Sequence, residues 1–306
     1  MHSLPPVAIG IPTYRRPVLL ARLLDSLQPE IEGREVLEVV ADNAPGPDSI
    51  APAVTRDHSP GAMCIPVPEP GISAARNALI RAALDRSETW RWLVMLDDDG
   101  YVEPGWLEAL ITGAERFDAD VASGPVLRNL PSDSSLLAQN SMFAARAQRP
   151  DGPITMIDGA QNMALSRGIL TRLSEPWFDP SLGLIGGEDH HFFRRIQVLG
   201  ARFVWCGDAV VVEPPASDRL TTRSIVRRAF RSNVITAQTD VALLGRAAVL
   251  AGITRGWGIT ARNLAAGAVR RDPSRIVRTG LDAVALTGRM VGSLVGRRTD
   301  KRHGDY

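Results

Sequence analysis

Lysine is almost absent: the 306 residues contain one, Lys301, so arginine carries the basic character of the chain. This excludes a lysine-bearing phosphate loop near the N-terminus. Cysteine is scarce too. Cys64 and Cys206 are too few for a disulfide framework or a cysteine-based zinc site, and each lies in an apolar stretch. Buried free thiols in a reducing compartment are the simplest expectation. No apolar run reaches the ~18 residues that a membrane span requires. The opening MHSLPPVAIGIPTYRR has no basic-then-apolar layout of a signal peptide. A cytoplasmic location is expected, either free or peripheral on the inner face of the plasma membrane.

The bulk composition is that of a globular protein, 44% hydrophobic and 23% charged, with a formal net charge of +1. That charge is unevenly placed. From Arg219 onward there are 17 basic and 5 acidic residues (+12), which leaves 18 basic and 29 acidic (−11) before it. The expected division is a catalytic-type domain over 1–218 and a basic helical region over 219–306. With few aromatics among its arginines and an acidic body before it, the tail does not suit nucleic acid. Arginines alternate with apolar residues at helical spacing, which fits a helix lying on a membrane surface. It fits a homodimer contact equally well.

Short apolar runs alternate with helical periodicity through the first half. Strands are expected at Val7–Pro12, within Val36–Gly46 (ending in Asp42, Asn43 and a Pro/Gly turn), Met63–Pro68 and Trp92–Leu96, and helices at Pro17–Leu27, Gly71–Leu84 (capped by Ser73) and Gly105–Phe117. Such alternation predicts an α/β fold with a parallel, doubly wound sheet, whose ligand crevice lies beyond the C-terminal strand ends. The second half is less regular. A strand over Val121–Leu127, a helix over Ser135–Ala147, a helix from about Glu188 and a strand pair or hairpin within Arg202–Pro215 are expected.

Three groups carry chemistry. Asp97-Asp98-Asp99 closes the strand WLVML. Like charges this close repel, and a cation among them removes that cost. On extended backbone Asp97 and Asp99 share a side while Asp98 faces away. Hard carboxylate oxygens suit Mg²⁺ or Mn²⁺, although an acidic turn after a strand is the plain alternative. In GGEDHHFFRR, Glu188 and Asp189 fall in a first helical turn, where acids complement the helix dipole and a carboxylate can serve as a general base. His190 and His191 point roughly 100° apart on a helix and do not easily share one ion. The third group comprises Thr13, Tyr14, Asp42, Asn43, Arg76 and Asn77 at strand ends, where Asp42 can accept from a base or ribose and Arg76 can meet a phosphate.

In order, IPTYRRPVLLARLLDSL, VADNAP, GISAARN, LDDDGYVEPGWL, DGAQNMALSR and FDPSLGLIGGEDHHFFRRIQVLGARFVWCGDAVVV resemble the inverting family 2 glycosyltransferases of the GT-A fold, over about residues 6–235. The resemblance implies a parallel-rich nucleotide-binding sheet flanked by helices, here followed by the basic helical extension. It places Pro12, Thr13 and Tyr14 at the nucleotide, Asp42 at the base, and Arg76 and Asn77 nearby. Asp97 and Asp99 would be the outer members of a DxD element around Mg²⁺ or Mn²⁺, with Asp98 between them in the nucleotide-sugar site. Gly159 to Asn162 would border the donor sugar and acceptor. Asp189 would be the catalytic base, with Glu188 beside it. Many relatives carry a metal-ligating histidine after the AVVV strand, where Glu213 stands here. Glu213 either replaces it as an oxygen ligand or marks a lost contact.

The implied reaction transfers a sugar from a nucleoside diphosphate sugar, UDP-sugar favoured, to a sugar or lipid-linked acceptor. Arg223, Arg227 or Arg228 are candidates to close over the diphosphate. A nucleotidyltransferase making a nucleotide sugar and a non-catalytic nucleotide-sugar binding module are the alternatives.

Overall fold

The computed structural model describes residues 4–144, 149–214 and 217–295. They form two compact units, one of residues 4–129 with 149–214, the other of residues 130–144 with 217–295.

The first unit is built on an eight-stranded sheet. In chain order its strands are β1 (Val7–Thr13), β2 (Val36–Asp42), β3 (Met63–Pro66), β4 (Trp92–Leu96), β6 (Val121–Ser123), β8 (Gly152–Ile154), β9 (Asn162–Ser166) and β10 (Phe203–Trp205). Their spatial order is β3-β2-β1-β4-β9-β6-β10-β8. The first four are parallel; β9 and β8 run against their neighbours, so the sheet is parallel-rich rather than wholly parallel. A second, three-stranded sheet orders β5 (Tyr101–Val102), β11 (Val211–Val212) and β7 (Val126–Leu127). The central strands are buried throughout, and β4 reads as a continuous apolar run because helices cover both its faces.

One face packs α1 (Pro17–Ile31) and α4 (Trp106–Arg116), with Leu20, Leu23, Leu24 and Leu27 meeting Leu107, Leu110 and Ile111. Pro17 starts α1, where a missing N–H costs nothing. The buried Glu30 near its end accepts from the N–H groups of Gly105 (2.7 Å) and Leu107 (2.9 Å), satisfying orphan donors at the start of α4. The other face packs α3 (Ile72–Arg86), α6 (Arg167–Thr171) and α7 (Glu188–Val198), with a stacked Phe178–Phe192 pair whose centroids lie 4.5 Å apart. The short helix α2 (Ala51–His58) follows β2.

Several expectations need correction. The cap of α3 is Gly71, not Ser73; Ser73 is buried inside the helix. Gly71 has φ +109 and its Cα faces the backbone of Gly183, 3.0 Å from where a Cβ would stand, so no L side chain fits. Val121–Leu127 is two strands of different sheets, interrupted at Gly124-Pro125, where proline has no N–H to continue a ladder. The Arg202–Pro215 pair is no hairpin: β10 and β11 also belong to different sheets. The helix over Ser135–Ala147 reduces to α5 (Leu136–Gln139), with Ser135 as its N-cap; residues 145–147 lie outside the described residues.

The second unit joins α5 to three long helices, α8 (Thr222–Leu244), α9 (Arg246–Arg270) and α10 (Pro273–Val295). α10 lies closely along α8. A Cβ on Gly288 would stand 2.5 Å from the Phe230 carbonyl oxygen, and one on Gly292 2.2 Å from that of Val234. Between them, Arg289 donates to the buried Asp240 at 2.8 Å. Residues 296–306, the end of the basic region, lie outside the described residues.

Candidate active site

The first unit gathers its acids where the sequence expects them, beyond the C-terminal ends of β1, β2 and β4. The order β2-β1-β4 sets Thr13, Asp42 and the aspartate triplet side by side. Asp98 is the buried member of the triplet. It accepts from the Thr13 hydroxyl at 2.7 Å, the Tyr14 N–H at 3.4 Å and the Arg16 guanidinium at 2.9 Å. It thus faces away from the open edge and ties the end of β4 to the loop after β1. Burial raises its pKa, opposed by Thr13 and Arg16. Arg16 also reaches Asp99 at 3.0 Å. Tyr14 is exposed, and Pro12 precedes Thr13 in the buried strand β1.

Arg76 joins the triplet to the start of α7. Its Nη2 donates to Asp97 at 3.0 Å and its Nη1 to Glu188 at 2.8 Å, with the side chain 4% exposed. Burial pulls its pKa down, and Asp97, Glu188 and Asp189 together outweigh that and leave it raised. Burial likewise raises the pKa of Glu188, which Arg76 opposes and Asp189 reinforces. Arg76 is a spacer of fixed length: Glu188, 112 positions from it in the chain, and Asp97, 21 positions from it, share its one guanidinium. Its guanidinium carbon lies 5.4 Å from the centre of the Phe178 ring. Asn77, next in the helix, fixes that ring by donating to the Phe178 carbonyl and accepting from its N–H, both at 2.8 Å. The amide expected near a nucleotide is therefore used on backbone. Asp189 is half-buried and accepts from the His190 N–H at 2.7 Å.

Other expected residues take supporting positions. Asp42 is buried, accepting from Ser49 at 2.5 Å and from the Ala44 N–H at 3.0 Å, which rigidifies the loop after β2. Asn43 bonds the Val67 and Glu69 carbonyls and the Gly71 N–H, holding the chain that enters α3. Gly159 leads into the buried Asn162, whose side chain accepts from the Trp106 indole at 2.9 Å and donates to the Ala209 carbonyl at 2.8 Å.

Glu213 is brought to the acidic edge by the three-stranded sheet. Val212 pairs with Tyr101 and with Leu127, so one step further Glu213 lies opposite Gly100 and alongside Arg128. Gly100 packs against Val211, 2.8 Å from where a Cβ would stand, and the Glu213 N–H bonds the Leu127 carbonyl at 2.8 Å. Arg128 forms an ion pair with the Glu213 carboxylate. Burial raises the pKa of Glu213; Arg128 opposes this, while Asp99 and Asp97 add to it. Arg16 and Arg128 were not singled out from sequence. Arg16 has a local signal, a second arginine at the end of β1 facing an acidic triplet; Arg128 has none.

Six carboxylates, Asp97, Asp98, Asp99, Glu188, Asp189 and Glu213, thus face three guanidiniums, Arg16, Arg76 and Arg128. The formal excess is three negative charges. Hard oxygen donors with a surplus of negative charge fit a divalent cation such as Mg²⁺ or Mn²⁺. Among the described residues no group of three or more His, Cys, Asp or Glu side chains is placed to hold a metal ion.

An acidic edge at parallel strand ends, bridged by one arginine to a helix-start Glu-Asp pair, thus stands on a GT-A fold. The chain matches the family Glycosyl transferase family 2 over residues 8–173, more than half its length, and belongs to that family. It is an inverting glycosyltransferase that moves a sugar from a nucleoside diphosphate sugar to an acceptor. The chain is 29% identical to the succinoglycan biosynthesis protein ExoM of Rhizobium meliloti (strain 1021), over 97% of this chain and 96% of that protein. Its fold is similar to that of the mannosyltransferase PcManGT from Pyrobaculum calidifontis in complex with GDP-Man and Mn²⁺. There the TM-score is 0.56 at 18% identity, covering 94% of this chain and 87% of that one. It is also similar to GalNAc-T7 with UDP, GalNAc and Mn²⁺, with a TM-score of 0.55 at 12% identity over 78% of this chain and 48% of that one. At these identities the likeness is one of fold.

Proposed function

We propose that the donor lies across the ends of β1, β2 and β4, and that Asp189 is the base that activates the acceptor hydroxyl. The observation that carries this is the Arg76 bridge, which holds Asp97 and Glu188 on one guanidinium and so keeps Asp189 beside the same crevice as the triplet. Thr13, Tyr14 and the Asp42 loop border the nucleoside, and Gly159 the sugar. When bound, a divalent cation supplies positive charge against the leaving diphosphate, and Asp99 with Asp97 would hold it. Glu213 serves Arg128 instead, keeping a guanidinium fixed at the same edge.

The displacement is a single step. The acceptor oxygen forms a bond to the anomeric carbon from the face opposite the leaving group. The anomeric carbon–oxygen bond to the diphosphate breaks, and the electron pair leaves with the nucleoside diphosphate. The hydroxyl proton passes to the Asp189 carboxylate. Arg76 holds Glu188 away from that proton path, so the neighbouring acid does not compete for it. Similarity to a succinoglycan biosynthesis protein supports a sugar or lipid-linked acceptor in polysaccharide or glycolipid assembly. We assign this chemistry to the first unit, residues 4–129 with 149–214.

Asp189→Asn tests the assignment. It should retain nucleoside diphosphate binding by calorimetry and lose about 10²–10⁴-fold in turnover, the usual contribution of a general base. Transfer within a few-fold of wild type would refute the role of Asp189.

A further inference from the structure

Two adjacent helices of the second unit present a two-sided surface. On α8, Arg223, Arg227 and Arg231 recur at i, i+4 and i+8 and form one ridge. On α10, Ile276, Gly280, Ala283, Thr287, Met290, Val291 and Leu294 share one side of the helix and include no charged residue. Ile276, Met290, Val291 and Leu294 are exposed by 39%, 44%, 36% and 65%, too much apolar area for a face that water alone covers.

The two sides meet in a groove of about 880 Å³. Val226, Phe230, Ala283 and Val284 line it together with Arg223 and Arg227. Three arginines of α10 have partners in the structure: Arg289 pairs with the buried Asp240, Arg275 donates to Asn263 and Arg278 to Asn140. No described hydrogen bond or ion pair engages the guanidinium of Arg223, Arg227 or Arg231. From 219 to 295 the second unit has 13 arginines and 3 acids, and none of those acids lines the groove. No described helix is long and apolar enough to cross a membrane.

We propose that the α8–α10 face docks on an anionic phospholipid surface, with the α10 strip at the acyl boundary and Arg223, Arg227 and Arg231 on lipid phosphates. Charge complementarity selects this occupant. An apolar strip alone would suit a second copy of the chain, but a copy would bring the same arginine ridge against this one. Lipid phosphates need a row of donors at one level, and an apolar strip beside that row suits the acyl boundary beneath. The inference does not depend on which nucleotide or sugar the first unit uses.

The test is co-sedimentation of the full chain with phosphatidylcholine vesicles, with and without phosphatidylglycerol. Wild type should bind the mixed vesicles and lose binding as salt rises. Arg223→Gln/Arg227→Gln/Arg231→Gln should weaken partitioning about 100-fold, near fivefold for each charge. Ile276→Glu/Leu294→Glu should weaken it while leaving the arginines in place. Arg255→Gln/Arg262→Gln, on α9, should change it less than threefold. Circular dichroism confirms that each variant stays folded, and nucleoside diphosphate binding is measured alongside. Equal binding to both vesicle types, or no effect of the triple substitution, would overturn the proposal. So would a loss of nucleotide affinity in the triple variant with lipid binding intact, which would assign the arginines to the donor. A dimer that Ile276→Glu/Leu294→Glu dissociates, with lipid binding retained, would assign the face to a second copy.

Discussion

Replacing Arg76 by methionine removes the one guanidinium that Asp97 and Glu188 share, and its effect follows from their burial. The Glu188 side chain is 10% exposed and that of Asp97 33%. Removing one partner of a buried pair costs about 3–5 kcal/mol, because the other charge stays buried without compensation. Asp97 still reaches water and is partly screened, so the lower end, about 3 kcal/mol, is expected. For a unit of this size that lowers Tm by roughly 6–12 °C.

The pH dependence gives the cause a signature. Glu188 already has a pKa raised by burial, so between its unfolded value and its raised value the folded state holds more protons than the unfolded one. Its contribution is therefore complete below the unfolded pKa and is lost as pH rises through the folded pKa. Without Arg76 the folded pKa moves further up, and the lost window widens. The Arg76→Met deficit should be full near pH 7.5 and shrink as the pH falls toward 5. Arg76→Met/Glu188→Gln should recover much of it at neutral pH. Urea unfolding at the two pH values measures both. A deficit below about 0.5 kcal/mol at neutral pH, or one that grows as the pH falls, would refute the view that Arg76 compensates a buried carboxylate.

Arg128→Gln and Glu213→Gln should each destabilise the first unit, with the double substitution costing much less than their sum. If Glu213 serves Arg128 and not a cation, Glu213→Gln should shift Mn²⁺ affinity by less than about threefold by calorimetry; a tenfold loss would make it a ligand. Burial pushes the Cys206 thiol up to about 12, so roughly one molecule in 10⁴ is thiolate at pH 8. Alkylation with iodoacetamide followed by mass spectrometry should label the half-buried Cys64 first and leave Cys206 intact until the unit unfolds; early labelling of Cys206 would refute its burial.

The elements legible in the sequence are those long enough to show a period. β4 coincides with the apolar run Trp92–Leu96, and α7 begins at Glu188 after two glycines. The two-residue strands β5, β7 and β11 have no period to detect, yet their register alone carries Glu213 to the acidic edge. For the same reason Arg128 left no trace, since its partner lies 85 positions away and only the folded ladder brings them together. The triplet was legible as an alternation, with Asp98 facing away from its neighbours. Its partner, the Thr13 hydroxyl, requires knowing that β1 and β4 are adjacent. Asn77 inside α3 and Asn162 at the start of β9 were legible as polar residues near the site. Their use on the backbone of Phe178, Pro125 and Ala209 was not, because backbone partners leave no pattern in side-chain identity.

The near-absence of lysine has a counterpart in this site. Arg16 spans Asp98 and Asp99, and Arg76 spans Asp97 and Glu188. At Arg16 a single nitrogen, Nη1, donates to both carboxylates, whereas at Arg76 they are met by Nη1 and Nη2, donors held apart in a plane that a guanidinium provides and a compact ammonium does not. A lysine at position 76 would satisfy one carboxylate and leave the other buried and ionised, or protonated. Either outcome changes the charge beside Asp189. The bridging arginines therefore set the electrostatic level of the crevice as well as its shape. Together with Arg128 they offset three of six negative charges, and the excess of three is the kind of charge that suits a divalent cation.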